Sequence, residues 1–317
     1  FRAFCDIFLS KNKMNLGLLL PTSAHKGTPM FSKILEMAGL AEESGFTSLW
    51  VGDSILRARI DALMTLAAVA SRTQKVMLGT ATLLLPIRNP VLVAQMIATL
   101  EQISGGRVIL GVAPGGEDAR PEFEACGVPF ERRGKRMDEA IKVLRMLWTM
   151  NEVNFSGEFY NLSEVNLDPK PVQKPHPPIW IGGASKRTFQ RVVEVVDGWI
   201  PFDIPPEEYK QHWGTICDWA KSKGRSLSEI HPAVYIYTNL APKSVASESE
   251  EEFYIGGMHE STLSTHGRKQ TYISPDEVLK KIDQYSEIGV KTMILRFAAK
   301  NPMGQLRACA EEILPSI

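Results

Sequence analysis

Four short runs combine small residues with a polar side chain at the point where an apolar segment ends. Gly52-Asp53-Ser54 sets a carboxylate beside a hydroxyl, and Asp53 there can accept hydrogen bonds from a ligand ring or cap the turn that follows. Leu78-Gly-Thr-Ala-Thr-Leu-Leu-Leu-Pro86 brings Thr80, Ala81 and Thr82 together, small enough for a planar ring to approach the backbone; by itself the run reads as a buried strand. Gly111-Val-Ala-Pro-Gly-Gly116 is followed by Glu122-Phe123, and its glycines permit tight turns and close ligand approach. In Ile179-Trp-Ile-Gly-Gly-Ala-Ser185, the residues Gly182, Gly183, Ala184 and Ser185 stand where a helix begins, with Arg187 nearby. Backbone N–H groups and the positive end of a helix dipole make such a place an anion site suited to a phosphate.

Each run follows a strand-like stretch, and the chain from Met14 repeats strand, break and helix. Strands are expected at 15–21, 48–52, 76–82, 108–113, 178–182, 198–201, 233–239 and 292–297. The helices between them carry their own punctuation. Asn89-Pro90 opens one and Gly105-Gly106 closes it. Ser274-Pro-Asp-Glu277 is a capping box, and Gly289 ends the helix it starts. Met137, Ile141, Leu144 and Trp148 share one face of another. Eight such units favour an α/β fold closed as a (β/α)8 barrel, a TIM barrel, because closure leaves no sheet edge. Active sites of such barrels are built from the loops after the strands, where the four runs lie.

Two stretches break the rhythm and are expected as insertions after strands 4 and 7: the polar, proline-rich 155–177, and 242–273, with an acidic run followed by Gly256, Gly257, His259, His266 and Gly267. The second, long and glycine-punctuated, is a candidate lid over the substrate. Residues 1–13 are expected as an N-terminal extension, upstream of a native start at Met14, with 14–317 as a single barrel domain.

Composition removes several classes. With 317 residues, 44% hydrophobic and 23% charged, the chain can bury a large core. Lys plus Arg and Asp plus Glu both count 36, so no global field draws a nucleic acid. Cys5, Cys126, Cys217 and Cys309 are widely spaced, which suits reduced thiols in a cytoplasmic protein and no metal site. No apolar run is long enough to span a bilayer.

Taken in order, Gly52-Asp53, Leu78-Gly-Thr through Asn89-Pro90, Ala98-Thr-Leu-Glu-Gln-Ile-Ser-Gly-Gly-Arg-Val-Ile-Leu-Gly111, Gly127-Val-Pro-Phe through Arg136-Met-Asp138, and Pro169-Lys-Pro-Val-Gln-Lys-Pro-His-Pro-Pro-Ile-Trp-Ile-Gly-Gly183 resemble the luciferase-like monooxygenase family, with the likeness running on through Asp197-Gly-Trp199 and 274–297. The resemblance implies a TIM barrel that binds FMN or the deazaflavin coenzyme F420 and performs hydride transfer or oxygen-dependent monooxygenation of a small organic substrate. It implies a non-prolyl cis peptide at Ala81-Thr82, in a bulge of strand three that supports the ring. It also implies a phosphate at Gly182, Gly183, Ala184 and Ser185, a phosphate-binding arginine at or next to Arg133, and a homodimer.

On this reading the backbone of Thr80, Ala81 and Thr82 cradles the ring, Asp53 touches ring or substrate, and Asp53, Ser54 and Glu122 are the candidate catalytic residues near the substrate. Gly115 and Glu122 line the cofactor tail or substrate mouth. Many relatives carry His where this chain has Ser54, and Arg or Glu where it has Pro114, so neither the histidine-based mechanism nor the luciferase or sugar-phosphate dehydrogenase activity carries over. The segments Arg133-Gly-Lys-Arg-Met-Asp-Glu139 and Pro-His-Pro-Pro-Ile-Trp-Ile-Gly-Gly183 favour F420; with FMN, a flavin reductase is the expected partner. Two alternatives from other classes are a non-catalytic flavin-binding barrel and a metal-dependent barrel hydrolase.

Overall fold

The computed structural model describes residues 14–23, 31–57, 59–240, 274–297 and 301–317. The expected extension at 1–13 and the candidate lid at 242–273 lie outside them.

All eight expected strands form. They are β1 (Asn15–Leu19), β2 (Ser48–Val51), β3 (Met77–Thr80, resuming at Leu83–Leu84), β4 (Val108–Ala113), β5 (Ile179–Ile181), β6 (Gly198–Trp199), β7 (His231–Thr238) and β8 (Thr292–Phe297). Each pairs in parallel with its neighbours in chain order, and β1 pairs with β8 through Asn15↔Thr292 and Leu18↔Leu295, so the sheet closes into a barrel. Between Gly79↔Ile109 and Leu83↔Val112 the register of β3 against β4 slips by one residue. That extra residue bulges β3 at its carboxyl end, beside the site.

The helices are α1 (Phe31–Ser44), α2 (Ala62–Arg72), α3 (Pro90–Ser104), α4 (Arg120–Ala125), α5 (Arg133–Thr149), α6 (Lys186–Glu194), α7 (Pro206–Ser222), α8 (Pro275–Ile288) and α9 (Pro302–Glu312). Their ends follow the local chemistry. Asn89 caps α3 through Val91 N, and Gly105 closes it at φ 69°. The Ser274–Glu277 capping box opens α8 and Gly289 ends it at φ 99°, the left-handed region that glycine enters without a Cβ penalty. Met137, Ile141, Leu144 and Trp148 of α5 are all fully buried against the barrel, and Trp148 Nε1 donates to Ala94 O at 3.1 Å.

At the first insertion, Val153–Ser156 and Asn161–Val165 form an antiparallel hairpin that the sequence pattern does not mark. Val153 and Phe155 alternate in the first strand, but Leu162 and Val165 do not in the second, and both strands are too short for a period-two pattern to stand out. The return to the barrel passes two cis prolyl bonds, Asp168-Pro169 and Lys174-Pro175, and Gln173, which hydrogen-bonds the buried Glu101 of α3.

Inside the barrel, Leu19, Trp50, Met77, Ile109, Trp180, Ile200, Ala233, Tyr235 and Ile294 pack together. The Trp50 and Trp180 rings lie 5.2 Å apart, and glycines make room for them. A Cβ at Gly79 would run into the Trp50 ring, and one at Gly198 would stand 2.5 Å from Trp180 Cδ1. His231 stacks on Trp180 at 4.6 Å and hydrogen-bonds Thr292 Oγ1 at 2.9 Å. Burial, reinforced by the charge of Lys291, pushes its imidazole down to about 3 from an ordinary 6.5. The unfolded chain therefore takes up a proton below about pH 6.5 that the folded chain refuses until near pH 3, so stability is complete above 6.5 and falls as the pH drops through that window. Urea unfolding of the wild type is expected to lose up to about 2 kcal/mol more between pH 7 and pH 5 than that of His231→Gln. Parallel slopes for the two proteins would contradict this.

Candidate functional site

The carboxyl ends of the strands surround a cavity of about 640 Å³, within the usual range for small-molecule sites. The bulge forms its floor. Ala81 N donates to Val51 O at 2.7 Å, and the Ala81-Thr82 peptide is cis, as the resemblance implies. Ala81 and Thr82 face the cavity. The Thr80 side chain does not: it is buried and donates to Gly111 O at 2.7 Å, tying β3 to β4 behind the floor, which leaves Thr80 only its backbone to offer the cradle. A Cβ at Gly182 would lie 3.1 Å from Thr82 Cγ2, so a side chain at position 182 would crowd the floor.

Across from this floor, Gly183 takes φ 99° and Ser185 caps α6 by accepting from Thr188 N at 3.2 Å. Gly182, Gly183, Ala184 and Ser185 all line the cavity at the start of a nine-residue helix. An ion pair from Arg191 to Asp138, 2.6 Å, ties α6 to α5, whose first residue is Arg133. Arg133 donates from Nε to Gly115 O at 2.9 Å and lies 3.7 Å above the Phe130 ring. That guanidinium and the α6 N-terminus face one cavity, an arrangement that attracts a phosphate. Gly115, at φ 85°, supplies the carbonyl that holds the arginine in place.

Asp53, Ser54 and Glu122 all line the cavity, as expected, and their polar atoms are engaged with other parts of the chain. Asp53 lines the cavity, but its side chain is only 1% exposed, and its oxygens accept from Arg88 at 2.7 and 2.9 Å and from Leu84 N at 2.9 Å. Its acceptors thus position the resumed part of β3 rather than meet a ligand. Burial raises its carboxyl above the ordinary value against the pull of Arg88 and the Leu84 N–H. Ser54 and Glu122, sixty-eight residues apart, are joined: Ser54 Oγ donates to Glu122 Oε1 at 2.8 Å, and Ile55 N donates to Oε2 at 2.9 Å. Glu122 therefore fixes the loop after β2, and neither group stands unengaged as a proton donor or acceptor. Arg57 and Asp118 pair at 2.5 Å at the cavity's edge, linking the loops after β2 and β4.

The far wall was not foreseen. Tyr235 and Tyr237 of β7, Arg296 of β8, Phe202, Ser23 and Arg59 complete the lining. Arg296 Nη1 donates to Tyr237 Oη at 2.9 Å and to Tyr235 Oη at 3.2 Å. The alternation that points Ala233 and Ile294 into the barrel points Tyr235, Tyr237 and Arg296 the same way near the strand ends. That signal was available in the sequence. For Arg59, which sits in no strand, none was.

A family model described as luciferase-like monooxygenase matches residues 14–314. An F420-dependent glucose-6-phosphate dehydrogenase of Amycolatopsis mediterranei (strain U-32) is 37% identical over 177 residues, 53% of this chain. The match spans 52% of that relative, about half its length. Among solved structures, an F420-dependent secondary alcohol dehydrogenase in complex with an F420-acetone adduct superposes with a TM-score of 0.77 at 23% identity, covering 95% of this chain and 98% of the other. The oxygenating constituent of 3,6-diketocamphane monooxygenase of Pseudomonas putida, in complex with FMN, superposes at 0.73 with 18% identity, covering 96% and 98%. At those identities the two structures establish the fold. Among the described residues no helix is long and apolar enough to cross a membrane, and no three His, Cys, Asp or Glu side chains cluster as metal ligands.

Proposed function

The chain belongs to the luciferase-like monooxygenase family, and from that premise we propose that it is an oxidoreductase that binds coenzyme F420 and passes a hydride between it and a small organic substrate. The observation that carries the reading is the convergence on one cavity of the Ala81-Thr82 floor, the small-residue start of α6 and the guanidinium of Arg133. The fit of a flat ring rests on glycine: a side chain at Gly182 would fill the space above Thr82. When bound, the deazaflavin supplies the hydride donor or acceptor, chemistry that no protein side chain offers.

The chain's residues would do the rest. Gly183, Ala184, Ser185 and Arg133 would hold the phosphate, and Leu84 and Ile200 would screen the ring from water. The Ser54–Glu122 and Arg57–Asp118 contacts would keep the loops over the cavity in register. The hydride itself would need no protein acid or base; the proton that balances it on a substrate oxygen would exchange with water, since Asp53 and Glu122 are committed to structural bonds. F420 is preferred to FMN on the 133–139 and 175–183 segments and on the relative in which that coenzyme is named.

Titrating the purified chain with F420 and, separately, with FMN, followed by absorbance and fluorescence, tests this. Tight binding of F420 alone is the expected result. Preference for FMN would shift the reading to a monooxygenase served by a flavin reductase, and binding of neither would overturn the site.

A further inference from the structure

We propose that the wall of the cavity opposite Arg133 and Ser185, formed by Arg59, Arg296 and Tyr235, is a subsite for a carboxylate carried by the substrate. The inference deepens the function proposed above and rests on it for assigning the other end of the cavity to the cofactor.

The argument begins with which charges are already satisfied. Among the described residues lining the cavity, the carboxylates are Asp53, Asp118 and Glu122. Asp53 is held by Arg88 and Leu84 N, Asp118 by Arg57, and Glu122 by Ser54 and Ile55 N. Among the described residues no carboxylate hydrogen-bonds Arg59, although the charge of Asp53 attracts it. Among the described residues its one hydrogen bond is a 3.3 Å contact from Nη2 to Ser23 Oγ, and its buried Nε has no acceptor. The guanidinium lies across the end of β2 so closely that a Cβ on Gly52 would collide with Nη1. A half-buried guanidinium whose buried Nε has no acceptor is costly unless one arrives.

Its surroundings point to an anion. Burial first, and then the charge of Arg296, lower the proton affinity of Arg59 against the opposing pull of Tyr235 and Asp53, so a second cation stands close by and the carboxylate that attracts Arg59 is already paired with Arg88. Tyr235 accepts from Arg296 and keeps its own O–H to donate. The Arg59 fork and the Tyr235 phenol proton match a carboxylate, whose two oxygens take paired, charge-assisted hydrogen bonds from an arginine, while Arg296, engaged with Tyr235 and Tyr237, adds positive charge beside them. Barrel order places this group on the loops and strand ends of β1, β2, β7 and β8, across the ring from the β4 and β5 loops that carry Arg133 and Ser185. An anion here is therefore separate from a cofactor phosphate there.

The test is calorimetric titration of the full chain with benzoate and with its neutral isostere benzamide, alongside the F420 and FMN titrations on the same preparation. Benzoate is expected to bind, and benzamide to bind at least about tenfold more weakly. Arg59→Gln should weaken benzoate at least about tenfold and leave cofactor affinity within about twofold. Arg59→Lys, which keeps the charge but loses the fork, should fall between them and serves if the glutamine variant does not fold. Equal binding of benzoate and benzamide to the wild type, no binding of either, or benzoate binding that depends on Arg133 rather than Arg59 would each overturn the subsite. Should neither cofactor bind while benzoate still depends on Arg59, the proposed function falls and the anion site stands.

Discussion

Replacing Asp53 by alanine is expected to destabilise the protein by about 3 kcal/mol, the low end of what removing one partner of a buried ion pair costs. The reason lies in what remains behind. Arg88 is only 15% exposed, and without Asp53 its nearest carboxylate is Asp61, 3.9 Å away and half exposed. The Leu84 N–H also loses its acceptor, just after the bulge. The intact pair itself adds little, because burial raises the Asp53 carboxyl despite the adjacent guanidinium. Removing both charges together, as in Asp53→Leu with Arg88→Met, should therefore cost less than Asp53→Ala alone. Urea midpoints of the single and double variants decide this, and a double variant less stable than the single would show that the pair holds the fold by its own attraction. Because Leu84 lines the cavity, Asp53→Ala should also weaken the cofactor.

That result bears on how far a sequence can be read. The barrel was legible because its strands sit at the ends of long local signals: Asn89 and Gly105 mark the limits of α3, Ser274 and Gly289 those of α8, and the 137, 141, 144, 148 spacing marks the buried face of α5. Such signals are written in neighbouring residues. The position of Asp53 at a strand end was equally legible, but its partner was not, since Arg88 is thirty-five residues away and the pairing depends on how β2 and β3 meet. The same holds for Ser54 and Glu122. Both were expected near the substrate as separate groups, and only the folded chain shows that they bind one another. Thr80 and Thr82 make the point within three residues: the register slip turns one toward Gly111 O behind the floor and the other into the cavity. Arg59, with neither strand nor motif around it, was invisible for the same reason in stronger form.

Arg133 offers the converse case, a side chain expected from resemblance whose setting suits the role. Its guanidinium is already held before any ligand arrives, by the Gly115 carbonyl at 2.9 Å and the face of Phe130, so little side-chain freedom remains to be lost on binding. Glu117, its nearest carboxylate at 3.7 Å, is 73% exposed and neutralises it weakly. Arg133→Gln should therefore raise the dissociation constant of the bound cofactor roughly 100-fold, the loss of a hydrogen bond between charged groups, while shifting the melting temperature little. Arg133→Lys should recover part of that affinity, because charge survives without the fork. Phe130→Leu tests the holding arrangement: it keeps the charge but removes the aromatic face, and a few-fold loss is expected. The discriminating observation is the salt dependence. If Arg133 meets a phosphate, wild-type cofactor affinity should fall as ionic strength rises and that of Arg133→Gln should fall less steeply. Identical slopes with unchanged affinity would remove Arg133 from the site and leave the α6 N-terminus as the anchor.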